Sequence, residues 1–152
     1  MNNCEICPIL ATHNNGNDVQ IIETEKWRVV LDPNQQFLGK AFVTLLDHKS
    51  SLSDLDGDDW RDFEVLVGRL EPALKKAFQP SHFNWSCLMN LAAMSGQETH
   101  VHWHIHPRYA EPVEIAGETF EDTQWYPRKE KTDHVVDEKV LRAIAEKIRE
   151  NL

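Results

Sequence analysis

Residues 100–108 read HVHWHIHPR. Histidine falls at His100, His102, His104 and His106, with Val101, Trp103 and Ile105 between them. A period of two is that of a β-strand, whose successive side chains point to opposite faces. The stretch is therefore expected to form a strand with three apolar residues on one face and four imidazoles on the other, ended by Pro107. Side chains two apart lie roughly 6.5–7 Å apart along a strand. Imidazoles so spaced converge on one small volume, where a neutral ring can attack phosphorus or bind a metal and a protonated ring can donate to phosphate oxygens.

The neighbouring sequence supplies a sheet and helices for this strand. Phe83, Trp85, Cys87, Met89 and Leu91 alternate with mostly polar residues, predicting a strand over residues 82–91, and residues 92–99 contain Ser95-Gly96 and read as a loop. Upstream, Leu55, Trp60, Phe63, Leu66, Val67, Leu70, Leu74 and Phe78 recur at steps of three and four, the stripe of a long amphipathic helix ending before Pro80. Residues 19–22 and 27–31 read as two strands after a turn at residues 14–18. Residues 41–46 read as a short strand buried on both faces. Residues 108–134 are irregular, and Val136, Val140, Leu141, Ile144, Ala145 and Ile148 mark a closing helix. Strands and helices are segregated, so the expected class is α+β: an antiparallel sheet of about five strands with a long central helix and a C-terminal helix.

The chain has 152 residues, which suits one domain, with a core over about residues 4–108 and an extension over 109–152. No apolar run approaches the ~20 residues that span a bilayer, and the N-terminus lacks a basic start with a long apolar run. The expectation is a cytoplasmic protein without membrane contact. Its net charge of −9 repels phosphate backbones and argues against stable nucleic-acid binding, while leaving room for a small phosphorylated ligand. Cys4 and Cys7 form a C-x-x-C, which reads as half a zinc site or as a redox pair, and Cys87 reads as a core thiol.

The stretch His100–Arg108, in the order HVHWHIHPR, resembles the signature of the histidine-triad family, His-φ-His-φ-His-φ-φ with φ apolar, often followed by Pro-Arg. His100, His102 and His104 fill the triad, and His106 stands where the family generally has an aliphatic residue. The resemblance extends upstream through Leu31-Asp32, Gly39, residues 41–46 and Asp47-His48, and through Asn90 before the glycine-containing loop. It covers roughly residues 4–108.

What the resemblance implies is a nucleotide hydrolase or transferase. His102 would attack the α-phosphorus of a nucleoside phosphoramidate or dinucleoside polyphosphate, and water would cleave the nucleotidyl-histidine to release a nucleoside monophosphate. His104, His100 and Asn90 would assist, with the backbone amides around Gly96, Gln97 and Thr99 facing the phosphate. Asp32 would receive ribose hydroxyls, although Asp before Pro33 also suits a turn. His106 would add a phosphate donor or alter specificity, and Ile6, Val30 and Pro33 would line the base pocket. The same resemblance places a structural zinc on Cys4, Cys7, His48 and His100, with no organic cofactor. It also implies a homodimer, for which Trp60, Trp125 and Tyr126 are candidate contacts. No Lys or Arg lies between Lys76 and Arg108, so charge at the phosphate is expected from imidazolium and backbone amides unless Arg108 or the tail folds in. Two other readings remain: a metal-dependent enzyme using the row 100–106 as its metal site, and a non-catalytic nucleotide-binding protein.

Overall fold

The computed structural model describes residues 3–11, 19–125, 127 and 129–152; the turn expected at residues 14–18 and Tyr126 lie outside them. A short helix α1 (Ile6–Ala11) precedes strands β1 (Gln20–Glu23), β2 (Trp27–Leu31) and β3 (Ala41–Leu45). Helix α2 (Gly57–Phe78), β4 (His82–Ser86), α3 (Asn90–Met94) and β5 (His102–Arg108) follow. The extension adds β6 (Val113–Ile115), β7 (Glu118–Phe120) and α4 (Glu138–Arg149). Five strands form one sheet in the order β1-β2-β3-β5-β4, every neighbouring pair antiparallel. The α+β class, the sheet of five strands and the two longer helices are as the sequence predicts.

Helix α2 starts where the chemistry allows it to start. Asp56 caps it, accepting from the amides of Asp58 and Asp59, while Asp59 reaches back to the amide of Asp56. Acidic Asp58 and Asp59 sit in the first turn and Lys75 and Lys76 in the last, each complementing the helix dipole. The helix ends at Gln79 in the left-handed conformation, followed by Pro80. Its stripe of Leu66, Leu70, Ala73, Leu74 and Phe78 packs on one face of the sheet, joined by Ile144, Ala145 and Ile148 of α4. That face presents Trp27, Val29 and Leu31, Ala41, Val43 and Leu45, and Ile105.

The other face carries the histidines. Strand β3 alternates buried and half-buried residues, so residues 41–46 are not buried on both faces as expected: Phe42 and Thr44 project to the side of His104 and His102, their register partners. The predicted strand over 82–91 also stops early, at Ser86. Residues 90–94 coil into α3, where Leu91 and Met94 are 77% and 82% exposed; the alternation there corresponds to no buried face. Conversely, Pro107 does not end the histidine strand, which runs on to Arg108. Pro107 pairs with Phe83, whereas the ladder to β3 ends at Ala41 opposite Ile105, so its missing amide is tolerated at a position flanked on one side only. Within residues 108–134, β6 and β7 form a hairpin whose turn, Ala116-Gly117, has φ of 53° and 81°, as a two-residue primed turn requires.

The loop between β2 and β3 is built as tightly as the core. Gln35 is fully buried; its side-chain amide donates to the carbonyls of Asp32 (2.5 Å) and Lys40 (2.9 Å) and accepts from the amide of Gly39 (2.7 Å). From outside, the extension straps the loop: Gln35 N donates to His134 O (2.8 Å), His134 N to Asn34 Oδ1 (2.9 Å) and Val136 N to Pro33 O (3.1 Å). Gly39 closes the loop with φ of 81°, and a Cβ there would lie 2.8 Å from Leu74 Cδ2. Gly39→Ala combines a left-handed backbone with a core clash, so a loss of about 2 kcal/mol or more is expected in urea unfolding. A loss below about 0.5 kcal/mol would show that the loop adjusts freely.

Candidate active site and metal-binding cluster

His100 precedes β5 and is 1% exposed. Its Nε2–H donates to the carbonyl of Leu45 at 2.7 Å, since a carbonyl only accepts, which leaves Nδ1 unprotonated in the neutral ring. That Nδ1 lies 3.5 Å from Cys4 Sγ, 3.6 Å from Cys7 Sγ and 3.3 Å from His48 Nδ1; Cys7 Sγ is 3.3 Å from the same His48 nitrogen. The donor atoms of these four residues all lie within 4.8 Å of one another. A tetrahedral centre with zinc-length bonds has ligand-to-ligand edges of about 3.3–3.8 Å, a range into which the four separations of 3.3–3.6 Å fall. The outer nitrogen of His48 lies 3.5 Å from Glu98 Oε2 and 3.3 Å from Ser50 Oγ, so both imidazoles have outer-shell oxygens. Burial, with Cys4 next to it, pushes the Cys7 thiol up to about 11; a bound cation reverses that balance. Helix α1, which sequence reading missed, begins between the two cysteines and presents Cys7 to the sheet.

The backbone carbonyl of His100 also accepts from the ring of His102, whose Nδ1 is 2.8 Å away. The proton therefore sits on Nδ1, and Nε2 is the unprotonated nitrogen of neutral His102. The rings of His102 and His104 are 5.1 Å apart and those of His104 and His106 6.1 Å, so the row predicted from alternation exists. Phe42 packs against His104 with ring centres 5.1 Å apart.

A cleft of about 620 Å³ opens over the upper part of this row. It brings together Ile6, Asn90, Gln97, His100, His102 and His104 from the predicted site, and adds Phe42, Leu88, Leu91, Glu5 and Glu98, which the sequence did not single out. Neither Lys nor Arg lines it among the described residues. Asp32, Val30, Gly96, Thr99 and His106 do not line it. Thr99 Oγ1 donates to Ser50 O (2.7 Å), and the Gly96 carbonyl accepts from Asn3 Nδ2 (3.1 Å). Three of the loop amides over residues 96–99 have protein partners: Gly96 N donates to Ala93 O (3.3 Å), Gln97 N to Ala92 O (2.9 Å) and Glu98 N to Asn3 O (3.2 Å). The Gln97 side chain bonds Glu5 and Ser95.

The lower end of the row is closed. His106 lies under Phe37, with ring centres 5.2 Å apart, and its Nε2 is buried without a hydrogen-bond partner among the described residues. Arg108 does not reach the cleft: it forms a two-pronged pair with buried Asp122 (2.6 and 3.1 Å) and stacks over Phe37. Burial holds the pKa values of His100 and His104 below the ordinary imidazole range, which runs against the imidazolium charge expected from sequence at these two rings. Lys40, immediately before β3, lowers His104 and His106 further.

No protein-family model and no curated sequence matches the chain. Solved structures do. A Hit-like protein involved in cell-cycle regulation from Bartonella henselae aligns over 100% of this chain and 98% of its own, with 23% identity and a TM-score of 0.69. A zinc-bound histidine triad family protein from Mycobacterium smegmatis covers 97% and 94%, with 18% identity and a TM-score of 0.62. A HIT family protein from Bacillus anthracis covers 72% and 75%, with 27% identity and a TM-score of 0.58. The sheet with its histidine row defines an α+β protein with a candidate site on the open sheet face. Its fold is that of the histidine-triad proteins, as the resemblance of residues 100–108 implies.

His106 yields a test of the closed end. Burial foremost, aided by Lys40, His104 and Arg108, pushes its pKa down to about 4, against about 6.5 for an unfolded histidine. Between these values the unfolded chain binds more protons, so this contribution to stability is present above pH 6.5 and is lost as pH falls toward 4. Urea unfolding of His106→Leu is expected to lose less stability between pH 7 and pH 5 than the parent does. An equal loss in both would show that His106 titrates freely in the fold.

Proposed function

We propose that this chain is a nucleotide hydrolase or transferase that acts at the α-phosphorus of a nucleoside phosphoramidate or dinucleoside polyphosphate. The observation that carries the reading is the His102 Nδ1–H bond to the His100 carbonyl at 2.8 Å, which leaves Nε2 as the free nucleophile beneath the cleft. Nε2 attacks phosphorus as the bond to the leaving nitrogen or oxygen breaks, giving a nucleotidyl-histidine; water then breaks the P–N bond to His102 and releases the nucleoside monophosphate. Dividing one displacement into two lowers each barrier. Nδ1 keeps its proton and goes on donating to the His100 carbonyl, which stabilises the positive charge that the ring acquires on bonding to phosphorus. His104, next in the row, and Asn90, across the cleft, are placed to donate to the non-bridging oxygens, where most of the catalytic gain in phosphoryl transfer lies. Ile6 and Phe42 supply the apolar surface for the base. A homodimer belongs to the same reading, supported by β4 as an edge strand and by exposed Trp60 and Val65 on α2.

Zinc on Cys4, Cys7, His48 and His100 is the second part of the proposal, supported by the convergence of the four donors within 4.8 Å and by the zinc-bound Mycobacterium smegmatis neighbour. A centre with four protein ligands is closed and structural. It fastens α1 to the sheet and fixes His100, whose carbonyl orients His102. The rival that places the catalytic metal on the row loses support, because His102, His104 and His106 are not among the donors that converge in the described residues.

Two measurements test these statements. Turnover of an AMP phosphoramidate or a diadenosine polyphosphate by the parent is expected to fall at least about a thousandfold in His102→Ala, as for loss of a covalent nucleophile. Binding without turnover in the parent would favour a non-catalytic nucleotide-binding protein. Metal analysis is expected to give one zinc per chain and its loss in the Cys4→Ser/Cys7→Ser double variant; a metal-free parent after purification with zinc present would contradict the centre.

A further inference from the structure

Residues 46–51 join β3 to a 3-10 turn (Leu52–Asp54) and belong to no strand or helix, so their placement rests on individual contacts. Two of them grip the start of the histidine row. Val101 N donates to Lys49 O at 2.9 Å, and Thr99 Oγ1 donates to Ser50 O at 2.7 Å. The Val101 amide and the His100 carbonyl belong to one planar peptide unit, so a bond at one end sets the direction of the other. That carbonyl is the acceptor of His102 Nδ1–H at 2.8 Å. A continuous relay therefore runs from the Lys49 carbonyl through the 100–101 peptide to the ring of His102, and each bond polarises the next.

Lys49 is itself tied down through its side chain. Its Nζ bonds Asp59 Oδ2, whose side chain is 2% exposed, and lies 3.2 Å from Asp56 Oδ2. Asp59 needs no cation to cap α2: its Oδ2 accepts from Asp56 N at 2.9 Å, and Asp56 Oδ1 accepts from the amides of Asp58 and Asp59. An ammonium beside a helix N-terminus is opposed by the helix dipole, and a largely buried ion pair adds little net stability over apolar side chains. The helix thus gives a weak reason for Lys49, whereas its own backbone gives a direct one. We propose that Lys49 is a positioning residue: its ion pair with Asp59 holds the Lys49 carbonyl in place, and this carbonyl sets the peptide that keeps the His102 proton on Nδ1. The consequence for turnover rests on the nucleotide reading above; the tautomer of the resting ring does not.

The test reads the tautomer of His102 in the full chain from the nitrogen NMR shifts of its neutral ring, assigned with His102→Ala. The parent is expected to carry the proton on Nδ1. In Lys49→Met the ring is expected to become a mixture of both tautomers. At equal metal content, its kcat for an AMP phosphoramidate is expected to fall about tenfold, with KM within about twofold of the parent. Lys49→Arg keeps a cation on Asp59 and is expected to retain the parent tautomer. A pair that only stabilises the fold would lower the urea midpoint and leave tautomer and kcat alone. An unchanged tautomer or an unchanged kcat in a folded Lys49→Met therefore overturns the proposal, as does a parent His102 protonated on Nε2. Should Lys49→Met fail to fold, Asp59→Asn decides by the same two readouts, since it keeps an acceptor for Asp56 N and removes the charge that holds Lys49. A parent that turns over no nucleotide substrate counts against the nucleotide reading, and the tautomer comparison then decides the positioning alone.

Discussion

His100 ties together three parts of the molecule that are distant in sequence. Its Nε2–H is anchored 2.7 Å from the Leu45 carbonyl at the end of β3, its Nδ1 faces the two cysteines and His48, and its own carbonyl holds His102 at 2.8 Å. Each of these bonds selects the next. The Leu45 carbonyl fixes the tautomer that turns Nδ1 toward the cluster, and a ring fixed at both nitrogens leaves its backbone in one place. That carbonyl in turn accepts from His102 Nδ1, which keeps the proton there and leaves Nε2 bare. Full burial of His100 makes the arrangement obligatory, because a buried imidazole lacking these partners would leave polar groups without hydrogen bonds.

The sheet makes this possible by having two unlike faces. On one, the aliphatic residues of β2, β3 and β5 meet α2 and α4 and supply the hydrophobic core. On the other, the same strands expose the imidazoles, Phe42 and Thr44. Phe37 and the loop that Gln35 braces cover its lower end, and residues of α1 and α3 line the cleft over its upper part. The acidic chain is consistent with a cleft without Lys or Arg among the described residues. In the proposed function, phosphate recognition there would depend on donors at short range, not on attraction from afar.

Much of this is legible in the sequence wherever periodicity or local chemistry carries it. The stripe from Leu66 to Phe78 and the alternation of residues 100–106 each reflect a period set by backbone geometry. The convergence of Cys4, Cys7, His48 and His100 is also anticipated, residue by residue, although from resemblance more than from spacing. What escapes lies in contacts between residues far apart in the chain. Lys40 lowers the pKa values of His104 and His106 only because β3 pairs with β5, and a scan for cations along residues 76–108 passes it by. Arg108 looks available in sequence and is in fact held by Asp122, fourteen residues on. His106 fits the alternation and still lies outside the cleft, because Phe37 folds over it. Helix α3 is missed because its apolar residues are exposed rather than packed, so their spacing reports no buried face.

The central claim is that Nε2 of His102 forms a bond to phosphorus. Mass spectrometry of protein quenched during turnover of an AMP phosphoramidate, followed by peptide mapping, tests it most directly. An adenylate adduct located on His102, and missing in His102→Ala, is the predicted result; turnover by the parent with no adduct, or an adduct on another residue, would contradict it.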